Sequence, residues 1–525
     1  MARWLLFWVV ISGCWRVTPA QTLEADVCIY GATSAGVIAA YTVAREGRKV
    51  ILLEPGTHLG GMSSGGLGQT DIGNKHAITG YAREFYKRVG AHYGKAESWT
   101  FEPHVASQVF RSFLQEVKVE VRYNSRVASV QKKGDQISTL SVVQADGGRQ
   151  MIRAKIFLDC TYEGDLMAMA GVTFTVGRES NAQYQETYNG VQLRDKHQFP
   201  DGVDPWRTPG DPASGLLWGI SPQPLLPDGT GDASVQAYNF RLCLTDDPAN
   251  RIPITRPADY DSTRYELLLR QLAVYTPDSL NWQLMHIARM PNHKTDINNC
   301  GGFSSDMIGA SHLYATADWP TRQQIVAEHR AYTRGWLYFI GHDKRVPAHL
   351  RAEMLQWGYP RDEYEACENF TPQLYVREAR RMVSDVVMTQ HHCQGKIVAD
   401  DVAGYAAYTM DSHNCRRVVV NGMVKNEGDV QIGGFGPYPI SYRAIVPARQ
   451  QCTNLLVPVC LSASHIAYGS IRMEPVFMVL AQTAGLASVQ AIEKSIPIQQ
   501  VNLADIRAKA GIPVPLKLPP NSQQE

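Results

Sequence analysis

The apolar run Val27-Cys28-Ile29-Tyr30 breaks at Gly31 into a short polar turn, Gly31-Ala32-Thr33-Ser34-Ala35-Gly36. An alanine-rich stretch of helical character follows and lasts to Glu46. Gly47 stands where a helix closes through a left-handed residue, and residues 49–53 form a second apolar run that ends at Glu54. The pattern predicts a strand over residues 25–30, a glycine turn, a helix over 36–46 and a strand over 49–53, which is one βαβ unit with parallel strands. Alternating runs at residues 120–130, 136–144 and 148–154 are punctuated by Gly134-Asp135 and Asp146-Gly147-Gly148, so an antiparallel meander is expected there. The apolar strand pattern resumes at Ile156.

From residue 167 to 365 the chain is proline-rich, aromatic-rich and weakly periodic, with helices expected only near residues 264–275 and 321–340. Residues 375–382 lead back toward the first domain, and Arg377, Glu378, Arg380 and Arg381 have the helical spacing that suits intrahelical or interdomain pairing. A last apolar pattern closes at about Val489, the tail from Pro513 is proline-rich and irregular, and no internal repeat is visible.

The turn has a chemical reading. Gly31 allows a tight bend, Gly36 allows close packing of helix on strand, and the amides around Ser34 and Ala35 would point at a pyrophosphate from the start of the helix. Glu54, at the end of the second strand, has the place of the carboxylate that accepts hydrogen bonds from a ribose. Thr33 stands where the dinucleotide fingerprint has glycine, so it either holds the backbone away from the phosphate or offers its own hydroxyl as a donor. Next comes the glycine-dense stretch from Pro55 to Gly68, too apolar at His58, Leu59, Met62 and Leu67 for a linker. Such glycine density lets backbone run close to a large flat ligand.

With these segments the chain resembles the FAD-dependent oxidoreductases of the glutathione-reductase-like flavoprotein superfamily, and within it an exported bacterial FAD-dependent oxidoreductase family. The resemblance covers nearly the whole chain after its leader. It matches His58-Leu59-Gly60-Gly61-Met62 to the segment along the flavin. It matches the residues from Lys155 to Leu166, with Asp159, Thr161, Glu163 and Asp165, to a second FAD segment. It matches the residues from Ser462 to Pro475, with Glu474, and then Gln482-Thr483-Ala484-Gly485, to the C-terminal flavin-binding helix entry. Tyr162, where glycine is usual, is a second departure beside Thr33. The resemblance implies an α/β fold, with a Rossmann-type FAD-binding domain of parallel sheet and β-meander split in sequence, and an inserted α+β substrate domain. The expected divisions are a signal peptide (1–20), FAD-binding parts (24–166 and 366–495), a substrate or cap domain (167–365) and a C-terminal tail (496–525).

Composition narrows the function. A formal net charge of +1, with 44% hydrophobic and 19% charged residues, gives no electrostatic reason to expect nucleic acid or an anionic membrane as partner. Arg3, the apolar run from Trp4 to Ile11 and Thr18-Pro19-Ala20 resemble a cleaved signal peptide, too short to span a bilayer, so a periplasmic or secreted protein is expected. Ile11-Ser12-Gly13-Cys14 also resembles a lipoprotein box, which would leave Cys14 lipid-anchored. The nine other cysteines show no zinc-type spacing, so no metal site is indicated. Cys28 and Cys160 read as buried hydrophobes, and a disulfide or two among the later cysteines fits an oxidising compartment.

FAD implies redox chemistry, with the protein supplying position and electrostatics. His465, Arg472 and Arg443 are the candidate catalytic groups: His465 as a base or a core histidine, the arginines as anchors for a polar or anionic substrate, supports of reduced flavin, or salt-bridge partners. His58 could touch the flavin ring or carry it covalently. Residues 292–298, Asn-His-Lys-Thr-Asp-Ile-Asn, form a polar cluster suited to a hydroxyl-rich ligand or to a solvated loop. Trp206, Trp218, Trp282, Trp319, Trp336 and Trp357 offer faces for sugar rings, or core. A sugar or polyol oxidised by hydride transfer to flavin N5 is the expected reaction, with the electron acceptor unidentified and no second dinucleotide fingerprint present. The alternatives are a polysaccharide lyase or hydrolase on the same scaffold, and a protein that keeps its nucleotide structurally.

Overall fold

A computed structural model describes residues 22–518 of the chain; the leader, with Cys14, lies outside them. The first elements are β1 (Thr22–Tyr30), α1 (Ser34–Arg45), β2 (Val50–Leu53), β3 (Val121–Arg122), β4 (Arg126–Lys133), β5 (Gln136–Val143) and β6 (Arg149–Asp159). They build a seven-stranded sheet in the order β3-β2-β1-β6-β5-β4, with Leu455–Leu456 as a further partner of β6. β1 is parallel to β2, with Val27 opposite Val50, and parallel to β6, with Thr22 opposite Met151 and Tyr30 opposite Asp159. The parallel strands with α1 between β1 and β2 match the expected Rossmann-type arrangement.

Two boundaries differ from the expected ones. Residues 120–130 are not one strand: β3 joins the parallel sheet, the chain turns through Asn124 at φ 51°, and β4 starts the meander. Conversely, residues 148–154 and the run from Ile156 are one strand. β6 pairs antiparallel with β5 through its first half and parallel with Leu455–Leu456 through its last residues. Between those halves only Lys155 interrupts the apolar pattern, and it reaches out to Asp26 at 2.8 Å.

The core lies between this sheet and the helix Glu474–Lys494, which is 94% buried over its most apolar window although it is long and apolar enough to cross a membrane. α1 packs on that helix so closely that a Cβ at Gly485 would sit 3.0 Å from the Thr42 side chain and 3.3 Å from the Ala39 carbonyl. Gly485 thus serves the close packing of these two helices. The expected middle helices appear as Glu266–Val274 and Trp319–His342, the latter capped by Asp318, which accepts from the Thr321 amide. Residues 377–381 are not helical: residues 377–380 are irregular and Arg381 begins a two-residue strand, Arg381–Met382. Their arginines fan outward to Asp306, Asp165, Glu179 and Glu378, so the pairing they make joins distant segments. All nine described cysteines are unbridged, Cys28 and Cys160 among the buried ones, and the disulfide or two that an oxidising compartment would allow is not formed among them.

Candidate functional site

The glycine turn is built by sterics. Gly31 has φ 95°, and a Cβ there would lie 2.9 Å from the Cys160 carbonyl and the Thr161 amide at the end of β6. A Cβ at Gly36 would stand 1.8 Å from the Gly31 carbonyl oxygen. Thr33 caps α1: its hydroxyl accepts from the Gly36 amide at 3.3 Å and donates to the Cys160 carbonyl at 2.8 Å. The single hydroxyl proton is thus directed at the carbonyl just after β6, which favours the packing alternative for Thr33 over donation to a pyrophosphate. That leaves the amides of Ser34 and Ala35 without partners among the described residues, as at any helix start. The Ser34 hydroxyl is buried beside them; it makes no hydrogen bond of good geometry, although it acts on the Glu474 carboxyl.

Glu54 closes the turn from the other side, accepting from the Ala32 amide at 2.8 Å and the Gly56 amide at 2.7 Å. Burial pushes its carboxyl up to about 7, although both amide bonds pull the other way. The loop after it is equally tight. Gly60, at φ 92°, donates its amide to the Ala32 carbonyl, and a Cβ there would lie 2.4 Å from the Phe110 ring. A Cβ at Gly61 would lie 2.2 Å from the Tyr162 hydroxyl. That hydroxyl accepts from the Met62 amide at 2.9 Å and donates to Glu474 at 2.7 Å, and the Ser63 hydroxyl donates to Glu474 at 2.9 Å. Tyr162, the second departure from the flavoprotein pattern, is therefore the tie between the glycine loop, the end of β6 and the start of the last helix. Burial holds the Glu474 carboxyl above its ordinary range.

These segments face a cavity of about 320 Å³ lined by Gly31, Glu54, His58, Thr161, Tyr162, Glu163, Asp165 and Arg322, among others. His58 is held by Ser64 at 3.0 Å, and burial lowers its ring to about 4, so it is neutral. Glu163 accepts from the Tyr314 hydroxyl at 3.0 Å. Asp165 is clamped by Arg322 at 2.6 and 2.9 Å and by Arg380 at 2.7 Å. Asp159 does not reach this cavity: fully buried, it accepts from the Thr161 amide and hydroxyl and the Met167 amide, and burial raises its carboxyl to about 6. It organises the turn that presents Thr161 and Glu163.

A second cavity, about 560 Å³, is walled by residues from widely separated stretches, among them Gln69 and Asp71, Arg241, the hairpin Met285–Arg289/Thr295–Asn299, Tyr375, the segment with Tyr408, Asp411 and His413, and Arg472. Arg472 donates to the Tyr375 hydroxyl at 2.7 Å and the Asp411 carbonyl at 3.1 Å, and its buried Nε has no partner. Arg241 is gripped at 2.7 Å through two nitrogens by Asp296, which also accepts from the Gly68 and Gln69 amides, and its third nitrogen is unpartnered. Asp71 stands 3.7 Å from that nitrogen and accepts from the Tyr408 hydroxyl at 3.3 Å. Burial pushes its carboxyl up, opposed by Arg241 and assisted by Asp411. At the rim Trp282 stacks on His286 with ring centres 3.9 Å apart and is 65% exposed.

Of the three expected catalytic groups, only Arg472 reaches a cavity. His465 is a core residue: its Nδ1 meets Glu378 at 2.8 Å, its Nε2 meets Ser412 at 2.9 Å, and its amide donates to Glu179. Arg443 is half-exposed on the turn Tyr442–Ala444, paired with Asp401 and Asp400 at 3.0 Å each. The polar cluster at 292–298 is not a solvated loop, because Lys294, Thr295 and Asp296 are fully buried. Lys294 bonds Glu102, Asp362 and Glu363 within 2.8 Å, so it already occupies the carboxylate in the one metal-like grouping among the described residues, His92, Glu102 and His104. Asp71, Arg241, Asp411, Tyr375 and Tyr408 were not identifiable from sequence, whereas Arg472, Trp282, Asp296 and Asn298 stood in the patterns read above.

The residues of the first cavity fit a dinucleotide. Free helix-terminal amides and the buried Ser34 hydroxyl suit the phosphates, Glu54 suits ribose hydroxyls, and the glycines leave no room for a Cβ. No curated protein matches the chain. Among solved structures it is similar to the OxyS anhydrotetracycline hydroxylase from Streptomyces rimosus (14% identity, 34% of this chain and 36% of that one, TM-score 0.25). It is also similar to a flavoprotein/dehydrogenase from Cytophaga hutchinsonii (18%, 29% and 43%, 0.23) and to the p-nitrophenol 4-monooxygenase PnpA from Pseudomonas putida DLL-E4 (17%, 30% and 45%, 0.23). The matched part spans less than half the length of each, and at these TM-scores they bear on neither substrate nor mechanism. The family model described as FAD dependent oxidoreductase matches residues 26–509, so the chain belongs to that family: it is an FAD-dependent oxidoreductase, and its cofactor is FAD.

Proposed function

We propose that the protein oxidises a hydroxyl-bearing small molecule, a sugar or polyol, in an exported compartment. The observation that carries this reading is the 560 Å³ cavity, whose wall combines arginines, carboxylates, tyrosines and amides with an exposed tryptophan face at the rim. Polyols need many directional donors and acceptors, and aromatic faces stack on sugar rings. FAD held at the glycine turn would supply the redox chemistry, as the acceptor of the hydride that leaves the substrate carbon. The chain's own part is to hold the cofactor and to prepare the substrate. Ser34, Ala35 and Glu54 would hold phosphate and ribose; Arg472, Arg241 and Tyr375 orient the hydroxyls; Asp71, with its raised carboxyl, accepts the hydroxyl proton as the carbon is oxidised.

The same reading takes residues 24–166 and 366–495 as one FAD-binding domain and residues 167–365 as an inserted substrate domain. Support comes from Leu455–Leu456 rejoining β6 and from Arg241, Trp282 and Asn298 meeting Asp71, Tyr375 and Arg472 around one cavity. The export signal at residues 1–20 motivates the compartment and makes nicotinamide an unsuitable acceptor. A panel of sugars, sugar alcohols and sugar acids, assayed by dye reduction with the FAD-loaded protein, tests it. Turnover with at least one, lost in Asp71→Asn, is the expected result, and activity confined to substrates without a hydroxyl group would overturn it.

A further inference from the structure

A third cavity, about 620 Å³, shares no lining residue with the other two. One side is apolar, with Trp218, Met307 and Ile308; the other carries Arg416, Arg417 and His312. The charges at that polar end do not balance. Arg178 is held by Asp232 and Glu427 at 2.6 Å each, and Arg416 approaches the same Glu427 at 3.5 Å. That leaves three arginines facing two carboxylates. Arg417 is the one without a carboxylate: it is 1% exposed, none of its nitrogens makes a hydrogen bond of good geometry, and the Tyr332 hydroxyl is the neutral oxygen that acts on it. Asp306, the next carboxylate that acts on it, is already engaged by Arg377 at 3.0 Å and His413 at 2.9 Å.

What does attend Arg417 is neutral: the faces of Phe303 at 4.8 Å and Phe199 at 5.9 Å, and the Tyr332 hydroxyl, which donates to the Ser304 carbonyl. A buried cation without a counter-ion is costly, and burial accordingly lowers the Arg417 guanidinium from its ordinary value. His312 adds a donor. Its Nδ1 accepts from the Val235 amide at 3.1 Å, so the neutral ring carries its proton on Nε2.

We propose that this cavity is a second binding site that takes an amphipathic monocarboxylate, with the carboxylate on Arg417 and an apolar body against Trp218, Met307 and Ile308. One excess positive charge calls for a monoanion, and a planar guanidinium matches a carboxylate through two parallel hydrogen bonds. The apolar wall calls for a hydrocarbon chain or ring on the same molecule.

Calorimetric titration of the FAD-loaded protein with octanoate, octan-1-ol and butyrate tests this. Octanoate is expected to bind saturably at one site per chain. Octan-1-ol, which lacks the charge, and butyrate, which lacks the apolar body, bind about tenfold more weakly or worse. Arg417→Met keeps apolar bulk and removes the charge, so octanoate affinity falls about tenfold or more while FAD content and flavin reduction stay as in the parent. Leu226→Asp, at the mouth and partly exposed, weakens octanoate by repulsion without disturbing the buried arginines, and it decides the matter if Arg417→Met does not fold. Octan-1-ol binding as tightly as octanoate, unchanged octanoate affinity in the variant that folds, or no saturable octanoate binding would each overturn the proposal.

Discussion

Replacing Thr33 with valine removes a hydroxyl without changing the shape of the side chain, and the structure assigns the loss to folding rather than to cofactor contact. Two hydrogen bonds disappear, from the Gly36 amide at 3.3 Å and to the Cys160 carbonyl at 2.8 Å. The cap is worth about 1 kcal/mol. Leaving a buried carbonyl without its donor costs about 1–2 kcal/mol more. A sum of about 2–3 kcal/mol, spread over an unfolding entropy of roughly 2 cal/mol/K per residue, lowers Tm by about 2–3 °C in a chain of this size. The affinity for FAD changes less than about threefold, because the anion-facing donors are the Ser34 and Ala35 amides. Scanning calorimetry of the apoprotein and holoprotein, with flavin fluorescence to follow FAD release, separates the two effects. Thr33→Ser keeps both bonds and behaves as the parent. If Thr33→Val keeps its Tm but releases FAD markedly faster, the hydroxyl serves the phosphate and the capping argument is wrong.

Other perturbations read out other parts of the site. The Glu54 carboxyl, at about 7 without FAD, is drawn to its ionised form by ribose hydroxyls that donate to it. A proton therefore leaves on binding, and FAD affinity rises by up to about tenfold per pH unit below 7 and flattens above it; reconstitution of apoprotein across this range shows the slope, and Glu54→Gln abolishes it. Gly36→Ala drives a methyl to within 1.8 Å of the Gly31 oxygen, so this variant is expected not to retain FAD after gel filtration. Asp71→Asn lowers kcat about 100-fold or more and removes the loss of activity at acid pH, because the parent's raised carboxyl must ionise before it can take a proton. Trp282→Ala leaves Tm unchanged, since the ring is 65% exposed, and raises KM for the sugar several-fold, by about the 1 kcal/mol of one stacking contact.

What was legible in the sequence was local. The β1-α1-β2 unit and the positions of Gly31, Gly36, Gly60 and Gly61 follow from sterics within one turn and its flanking strands, and they leave their mark in neighbouring residues. Gly485 shows the limit of that logic, since a glycine required by Thr42 on a packed helix looks the same in sequence as one required by a ligand. Thr33 could be flagged as anomalous but not explained, because its partner Cys160 is 127 residues away.

The substrate cavity was mostly illegible for the same reason. Asp71, Arg241, Asp411 and Arg472 come from four segments with no common spacing, and only folding gathers them. His465 and Arg443 misled in a complementary way. The residue type suited catalysis, but Glu378 and Ser412 enclose one and Asp400 and Asp401 hold the other at the surface. The charged run at 377–381 fitted a helix by spacing alone, whereas its buried arginines reach Asp306 and Glu179 in loops and Asp165 at the start of a short helix from backbone that is not helical.

In the proposed reaction a hydroxyl-bearing substrate, seated between Asp71 and the two arginines, reduces the FAD held at the glycine turn. Anaerobic titration of the yellow holoprotein with the best sugar or polyol, followed at the flavin absorbance band, tests it most directly. Full bleaching is expected of the parent, at least 100-fold slower bleaching of Asp71→Asn, and an unchanged rate of Arg443→Ala. Flavin that no sugar or polyol bleaches, or bleaching unaffected by Asp71→Asn, would contradict it.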